Sequence, residues 1–296
     1  MILCRFTLIF ITGSIWLRCV PTDSPTTRSD DDVSTVLVTG GAGFIGSNIV
    51  AGLEASGAGP ICVVDHLGTG DKWKNLRGRE LEELIDPAGL DAFLQERGRE
   101  ITYVIHMGAI SATTETDADL IVDNNLRLSQ RIWRWCAGHD VPLIYASSAA
   151  TYGDGARGFD DDGTPEALAK LVPMNPYGWS KHLFDRWVAR SIANHHANPP
   201  QWVGLKFFNV YGPNEHHKGN MRSVVLKNHG SAARGEAVTL FRSHHPDYQD
   251  GGQMRDFVYV KDCEDVVLWL MENRGVSGLF NLGTGRAQTW LELMGA

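Results

Sequence analysis

Thr35–Asn48, TVLVTGGAGFIGSN, is the stretch that decides the fold. TVLVTG reads as a buried strand. Directly after it, Gly40, Gly43 and Gly46 fall in a GxxGxxG frame that opens a helix expected over Phe44 to about Ser56. Glycines in such a turn let the backbone approach a pyrophosphate, and the helix N-terminus adds free N–H groups and a partial positive charge. A glycine triplet alone is weak evidence, but between a strand and a helix it specifies a dinucleotide-binding turn. Working outward, ICVVD is a second strand ending at Asp65, about twenty residues on, where a carboxylate would bind an adenosine ribose. Taken alone, Asp65 favours NAD over NADP because it repels a 2′-phosphate. Lys72 follows in the next segment and could offset that repulsion.

Further strands are expected at ITYVIH (Ile101–His106), PLIYASS (Pro142–Ser148) and WVGLKFF from Trp202. Helices are expected through Leu120–Cys136 and from Trp179 to about His195. This alternation is the pattern of an α/β fold, a Rossmann-type doubly wound parallel sheet flanked by helices. HMGAIS (His106–Ser111) closes its strand with small residues that could lie along the nicotinamide half of a cofactor, or simply form a tight strand-to-helix turn. After Gly212 the rhythm breaks into loops with one helix near Met221–Ala233. RDFVYV, KDCEDVVLWLME and GLFNLG then read as strand, helix and strand. Residues 33–208 are therefore expected to form the cofactor-binding domain, completed by about 256–283, and residues 209–296 to be mostly a smaller substrate-binding region. The closing LELMGA looks like the first turns of a helix, so the expectation is a missing C-terminus. Residues 1–32 carry a basic residue, a short apolar run and a polar tail, too short and interrupted for a membrane span. A signal peptide is one reading; the preferred one is an upstream extension outside the fold.

The chain has 296 residues, with 35 acidic against 27 basic and a formal net charge of −8. No dense basic stripe exists, which argues against nucleic acid or an anionic membrane as the main partner. Cys4, Cys19, Cys62, Cys136 and Cys263 are scattered without a CxxC. That fits a reducing compartment and argues against a disulfide framework or zinc site. The pairs His195–His196, His216–His217 and His244–His245 lack HExxH spacing and carboxylate support, so no metal site is expected.

NPYGWSK places Tyr177 and Lys181 on one face of a helix. On its own this pair could be a packed ring and a solvated lysine. Together, however, the glycine frame, YASSAATYG, NPYGWSK and RDFVYVKD resemble the extended short-chain dehydrogenases/reductases. FFNVYGPNEHHKGNM and FNLGTGRA narrow the resemblance to the ADP-glyceromanno-heptose 6-epimerase family, from about Val36 to the end. The resemblance implies an isomerase that epimerises ADP-heptose at carbon 6 for the lipopolysaccharide inner core, with tightly bound, recycled NADP. It also implies a cytoplasmic homo-oligomer, a pentamer by analogy.

By the same resemblance the catalytic set is Tyr177, Lys218, Ser148 and Lys181. A free tyrosine is mostly protonated at neutral pH, and a nearby ammonium favours its phenolate, so Lys181 can tune Tyr177 as the base. Ser148 would hydrogen-bond the reacting oxygen, and Lys218 would be a second base on the opposite face. Cofactor contacts carried over are Gly40, Gly43, Phe44, Ile45, Gly46, Asp65, His66, Lys72, Met107, Gly108, Ala109, Ile110, Ser111, Asn124, Lys181, Val210 and Lys218. Substrate contacts carried over are Ser148, Asn209, Asn220, Lys227, Phe241 and Arg255, the last suited to a diphosphate by its planar fork. Ala149 and Ala150 stand where related dehydratases carry acids, which disfavours elimination. The chain departs from the family at Asn220 (usually serine), at Lys227 (usually histidine) and in the longer RSHHPDYQDGGQM loop. A UDP-hexose 4-epimerase is the nearest alternative, and a non-catalytic dinucleotide-binding sensor the alternative from another class.

Overall fold

The computed structural model describes residues 34–238, 240, 242–243 and 249–295. The expectations for residues 1–32 and for Phe241 lie outside these, as does part of the loop before Arg255. In chain order the elements begin with β1 (Thr35–Thr39), α1 (Phe44–Ser56), β2 (Ile61–Val64), β3 (Glu83–Ile85), α2 (Leu90–Arg97) and β4 (Ile101–His106). There follow α3 (Ala118–Ile121), α4 (Leu128–Gly138), β5 (Leu143–Ser148), α5 (Pro165–Leu168), α6 (Pro176–Ala193) and β6 (Trp202–Phe207). The last third holds β7 (Asn209–Tyr211), α7 (Val224–Ala233), β8 (Met254–Tyr259), α8 (Val260–Glu272), β9 (Gly278–Leu282), β10 (Ala287–Thr289) and α9 (Trp290–Gly295).

Seven strands form one parallel sheet in the order β3-β2-β1-β4-β5-β6-β9. Alternate residues of one strand feed two cores. Val36 and Val38 pack with Ile49, Val50 and Leu53 of α1 and Val266, Val267 and Leu270 of α8. Leu37 packs on the other face with Ile132, Trp133 and Cys136 of α4 and Phe184 and Val188 of α6. A strand covered on both faces must be apolar at every position, and for that reason TVLVT reads as an unbroken run.

RDFVYV lies in a second sheet, β10-β8-β7, where β7 pairs parallel and β10 antiparallel to β8. From residues 256–283, the contributions to the main assembly are α8 against α1 and β9 beside β6. Within the span of the expected Leu120–Cys136 helix, residues Val122–Arg127 form a π-helical segment between α3 and α4. Asn125 accounts for it. Its side chain accepts from Ile110 N (2.8 Å) and donates to Ile110 O and Ser180 Oγ (both 3.0 Å), drawing the helix toward the neighbouring loop. The helix expected from Trp179 begins three residues earlier, at Pro176, because Asn175 caps it by accepting from Gly178 N at 2.8 Å and proline fits the first turn. Tyr177 therefore sits in the first turn. β3 is not legible from periodicity, since three residues cannot show an alternation, and α2 spans only eight residues, about two turns.

The order of strands reverses between β1 and β4, and in open α/β sheets a crevice forms at such a switch point, beyond the carboxyl ends of the strands.

Candidate active site

A cleft of about 1040 Å³ opens at that point. One end is the turn after β1. Gly40 has φ +68°, and a Cβ there would lie 2.6 Å from Gly108 N, so the loops after β1 and β4 touch backbone to backbone. Thr39 Oγ1 ties them, accepting from Gly108 N (3.1 Å) and lying 2.6 Å from His106 Nδ1. The other ring nitrogen of His106 is 2.8 Å from Ser129 Oγ, and burial pulls the imidazole down to about 3, so it stays neutral. Gly43 precedes α1 without a side-chain cap, and Gly43, Phe44, Ile45 and Gly46 line the cleft.

Asp65, at the end of β2, accepts from Ala42 N (2.8 Å) and pairs with the Lys72 ammonium, which also donates to His66 O (3.0 Å). His66 Nδ1 lies 3.1 Å from Asp86, and Pro87 and Leu90 complete this wall. Met107, Gly108, Ala109, Ile110 and Ser111 line the cleft from the β4 side, with Asn124 beside them on the π-helical segment.

Ser148 ends β5, its hydroxyl accepting from Ala150 N at 3.1 Å. Gly178 lets the first turn of α6 approach that turn; a Cβ there would lie 2.7 Å from Ala150 O. Tyr177 and Lys181 thereby face the cleft beside Ser148. Burial raises Tyr177, the Ser148 hydroxyl pulls it back and the Asp185 charge raises it. Burial also lowers Lys181 to about 8, against the pull of Asp185.

The opposite wall comes from beyond β6. Asn209, Val210, Lys218, Asn220, Lys227 and Arg255 all line the cleft. Lys218 Nζ stands 5.3 Å from the centroid of the Phe44 ring, and burial lowers its pKa while Glu215 raises it. The same wall also holds Arg222, Arg242, Gln253, Phe257 and Trp290, which are not among the expected site residues, and His217, which the sequence offers only as one of a histidine pair. Phe257 and Trp290 meet edge to face at 5.3 Å. An aromatic two positions after Arg255 in RDFVYV was the available signal for Phe257; nothing local marked the others. Among the described residues, no cluster of three or more His, Cys, Asp or Glu side chains is placed to hold a metal ion. No helix among them is long and apolar enough to cross a membrane.

This cleft joins a glycine turn at a switch point to a Tyr–Lys pair on a capped helix. A family model, the NAD dependent epimerase/dehydratase family, matches residues 36–283. The chain belongs to that family. It is 50% identical over 265 residues to an ADP-L-glycero-D-manno-heptose-6-epimerase of Nitratidesulfovibrio vulgaris, covering 88% of this chain and 79% of the relative. An enzyme of that name from Fusobacterium nucleatum is 47% identical over 260 residues, covering 87% and 77%. Among solved structures, the Helicobacter pylori ADP-L-glycero-D-manno-heptose-6-epimerase superposes with a TM-score of 0.73 at 29% identity, covering 90% of this chain and 83% of the other. Thermus thermophilus UDP-glucose 4-epimerase in complex with NAD gives 0.64 at 29% identity, covering 88% and 81%.

An epimerase of this family takes a nicotinamide dinucleotide, and the residues present fit one. The uncapped N-terminus of α1 offers N–H groups to a pyrophosphate, and Asp65 lies at the end of β2 where a ribose would sit.

Proposed function

We propose that this chain is an ADP-glyceromanno-heptose 6-epimerase that uses NADP and interconverts the two carbon-6 epimers of ADP-heptose, for the lipopolysaccharide inner core. The observation that carries this is the meeting, in one cleft, of the Tyr177–Lys181 pair, Ser148 and a second lysine, the half-buried Lys218. The relatives of that name support the sugar assignment.

A nicotinamide held in this cleft would supply a reversible two-electron oxidation of the sugar carbon. The chain's residues handle the proton and the oxygen. Tyr177, as phenolate, accepts the hydroxyl proton, the Lys181 ammonium favours that phenolate, and Ser148 holds the reacting oxygen. Lys218 approaches from the opposite wall and serves the other epimer; its lowered pKa brings its neutral, proton-accepting form closer to working pH. Ala149 and Ala150 offer no acid or base for elimination. Arg255 and Arg242, both lining the cleft, suit the diphosphate of the substrate. Lys72 beside Asp65 supports NADP, since its ammonium neutralises the carboxylate that would repel a 2′-phosphate. Residues 34–208 with α8 and β9 then form the cofactor half and the elements around β7, β8 and β10 the substrate half of a cytoplasmic homo-oligomer.

The test is incubation with each ADP-heptose epimer and measurement of the epimer ratio. Both incubations should converge on one ratio. Conversion of UDP-glucose but not ADP-heptose would replace this reading with a UDP-hexose 4-epimerase.

A further inference from the structure

Beneath the cleft lies a set of buried charges that the chemistry above does not use. Asp185 and Lys206 are both wholly buried, with Lys206 Nζ 2.9 Å from Asp185 Oδ2. Asp185 lies on α6 at four residues from Lys181 and eight from Tyr177, so all three share a face. Its Oδ2 also accepts from Ser147 Oγ at 2.6 Å, and Tyr145 OH lies 3.5 Å from Oδ1. Lys206, on β6, donates to Thr151 Oγ1 at 2.7 Å and stands 4.9 Å from the Tyr152 ring centroid. Thr151 in turn donates to Ser148 O at 2.8 Å. One chain of contacts thus runs from the helix that carries Tyr177 and Lys181 to the turn that carries Ser148.

A buried ion pair is a poor way to gain stability, because desolvation offsets most of its attraction and an apolar pair packs as well. What an apolar pair cannot supply is a charge. Lys181 is 3% exposed, and a buried ammonium needs a compensating anion. The groups that face this region are Tyr177 and His182 on α6, Tyr145 and Ser147 on β5, His106 on β4, Tyr152 after β5, and Lys206 on β6. Burial holds both histidines neutral near pH 7 and the Tyr145 and Tyr152 phenols protonated. Among these groups and Asp185 itself, the one carboxylate is Asp185, paired with Lys206.

We propose that Asp185, held by Lys206, is a positioning residue of the reaction centre: from the face of α6 that also carries Lys181 and Tyr177 it sets a fixed negative charge beneath them and, through Lys206 and Thr151, locks the Ser148 turn against α6. The proposal rests on the epimerase reading only through the roles given there to Tyr177, Lys181 and Ser148. Its charge acts on both members of the pair in the same sense, favouring the protonated forms of Lys181 and of Tyr177.

Asp185→Asn alone would strand a buried ammonium, so the test removes both charges in Asp185→Asn/Lys206→Met, with Asp185→Asn/Lys206→Gln as a second, more polar version. Two readouts are taken on cofactor-loaded protein: the pH profile of kcat/KM, and a ¹³C NMR titration of ring-labelled Tyr177, assigned with Tyr177→Phe, which needs no sugar. Both variants remove a cation with the anion, but of the two it is Asp185 whose charge acts on Tyr177 and Lys181, so with the pair gone the phenol ionises more readily and the ammonium deprotonates sooner. Both limbs of the profile and the Tyr177 titration should move to lower pH. Lower activity with unmoved limbs and an unmoved titration would overturn the charge role. Thr151→Val cuts the tie to Ser148 and should lower kcat about tenfold with KM and the titration unchanged; an unaltered kcat would overturn the tie. If wild-type protein leaves ADP-heptose unconverted while the titration still shifts, the substrate reading fails and this proposal stands.

Discussion

Gly178→Ala tests how the first turn of α6 sets the reaction geometry. The added Cβ would lie 2.7 Å from Ala150 O, 3.2 Å from Ala150 C and 3.2 Å from its Cβ. The first two of these atoms are backbone of the turn that follows Ser148, so no side chain can swing away. Ordinary contact begins near 3.4 Å, so the two turns must separate by about 0.7 Å (3.4 − 2.7). That movement displaces Tyr177 from Ser148 directly. A misplacement of 1 Å can cost about 10²-fold in rate, which puts the loss in kcat here at about 25-fold. Stability changes less. Alanine gains about 1 kcal/mol of helix propensity over glycine, and overpacking costs about 1–3 kcal/mol, leaving a net loss of about 0–2 kcal/mol. The assay is steady-state epimerisation beside a thermal melt and a measurement of bound dinucleotide, which should be unchanged because the glycine turn after β1 is untouched. Wild-type kcat in a folded Gly178→Ala protein would refute the claim that this backbone contact positions Tyr177.

Tyr177→Phe keeps the ring and removes the proton acceptor, so epimerisation should fall by roughly 10²-fold or more while cofactor stays bound. Lys218→Met should cause a comparable loss, yet each single variant should still carry out single-turnover oxidation of the epimer matched to its surviving base; full epimerase activity in Lys218→Met would remove it from the mechanism. Purified protein should carry NADP, and Lys72→Met should shift the bound nucleotide toward NAD, as read by extraction and chromatography; an unchanged NADP content would exclude Lys72 from the selection. Stability should fall on acidification below pH 6.5, since His106 binds a proton at about 3 and His182 at about 4 when folded, but near 6.5 when unfolded. In that window the unfolded state holds more protons and gains on the folded one. Urea midpoints across pH should show this slope, and His106→Asn should flatten it.

What the sequence determined by itself is what local rules govern. The alternation of apolar runs and amphipathic stretches dictated the parallel sheet, and Gly40, Gly43 and Gly46 marked the turn, because strand burial and helix initiation act within a few residues. The helix from Phe44 to Ser56 reads directly from the chain for the same reason. Tyr177 and Lys181 could be placed on one face by spacing alone, though only the Asn175 cap fixed them in the first two turns. The tertiary structure decided everything that depends on distant parts of the chain meeting. Lys218 stands over Phe44, and the Asp185–Lys206 pair is sealed between α6 and β6. The widened helical turn at Val122–Arg127 follows from Asn125 bonding to the Ile110 backbone. Gln253, Phe257 and Trp290 became part of the cleft because β8 pairs with β7 and β10 rather than with the main sheet. Period and propensity are properties of a window of residues, whereas desolvation, charge pairing and cleft shape arise between elements that only folding brings together.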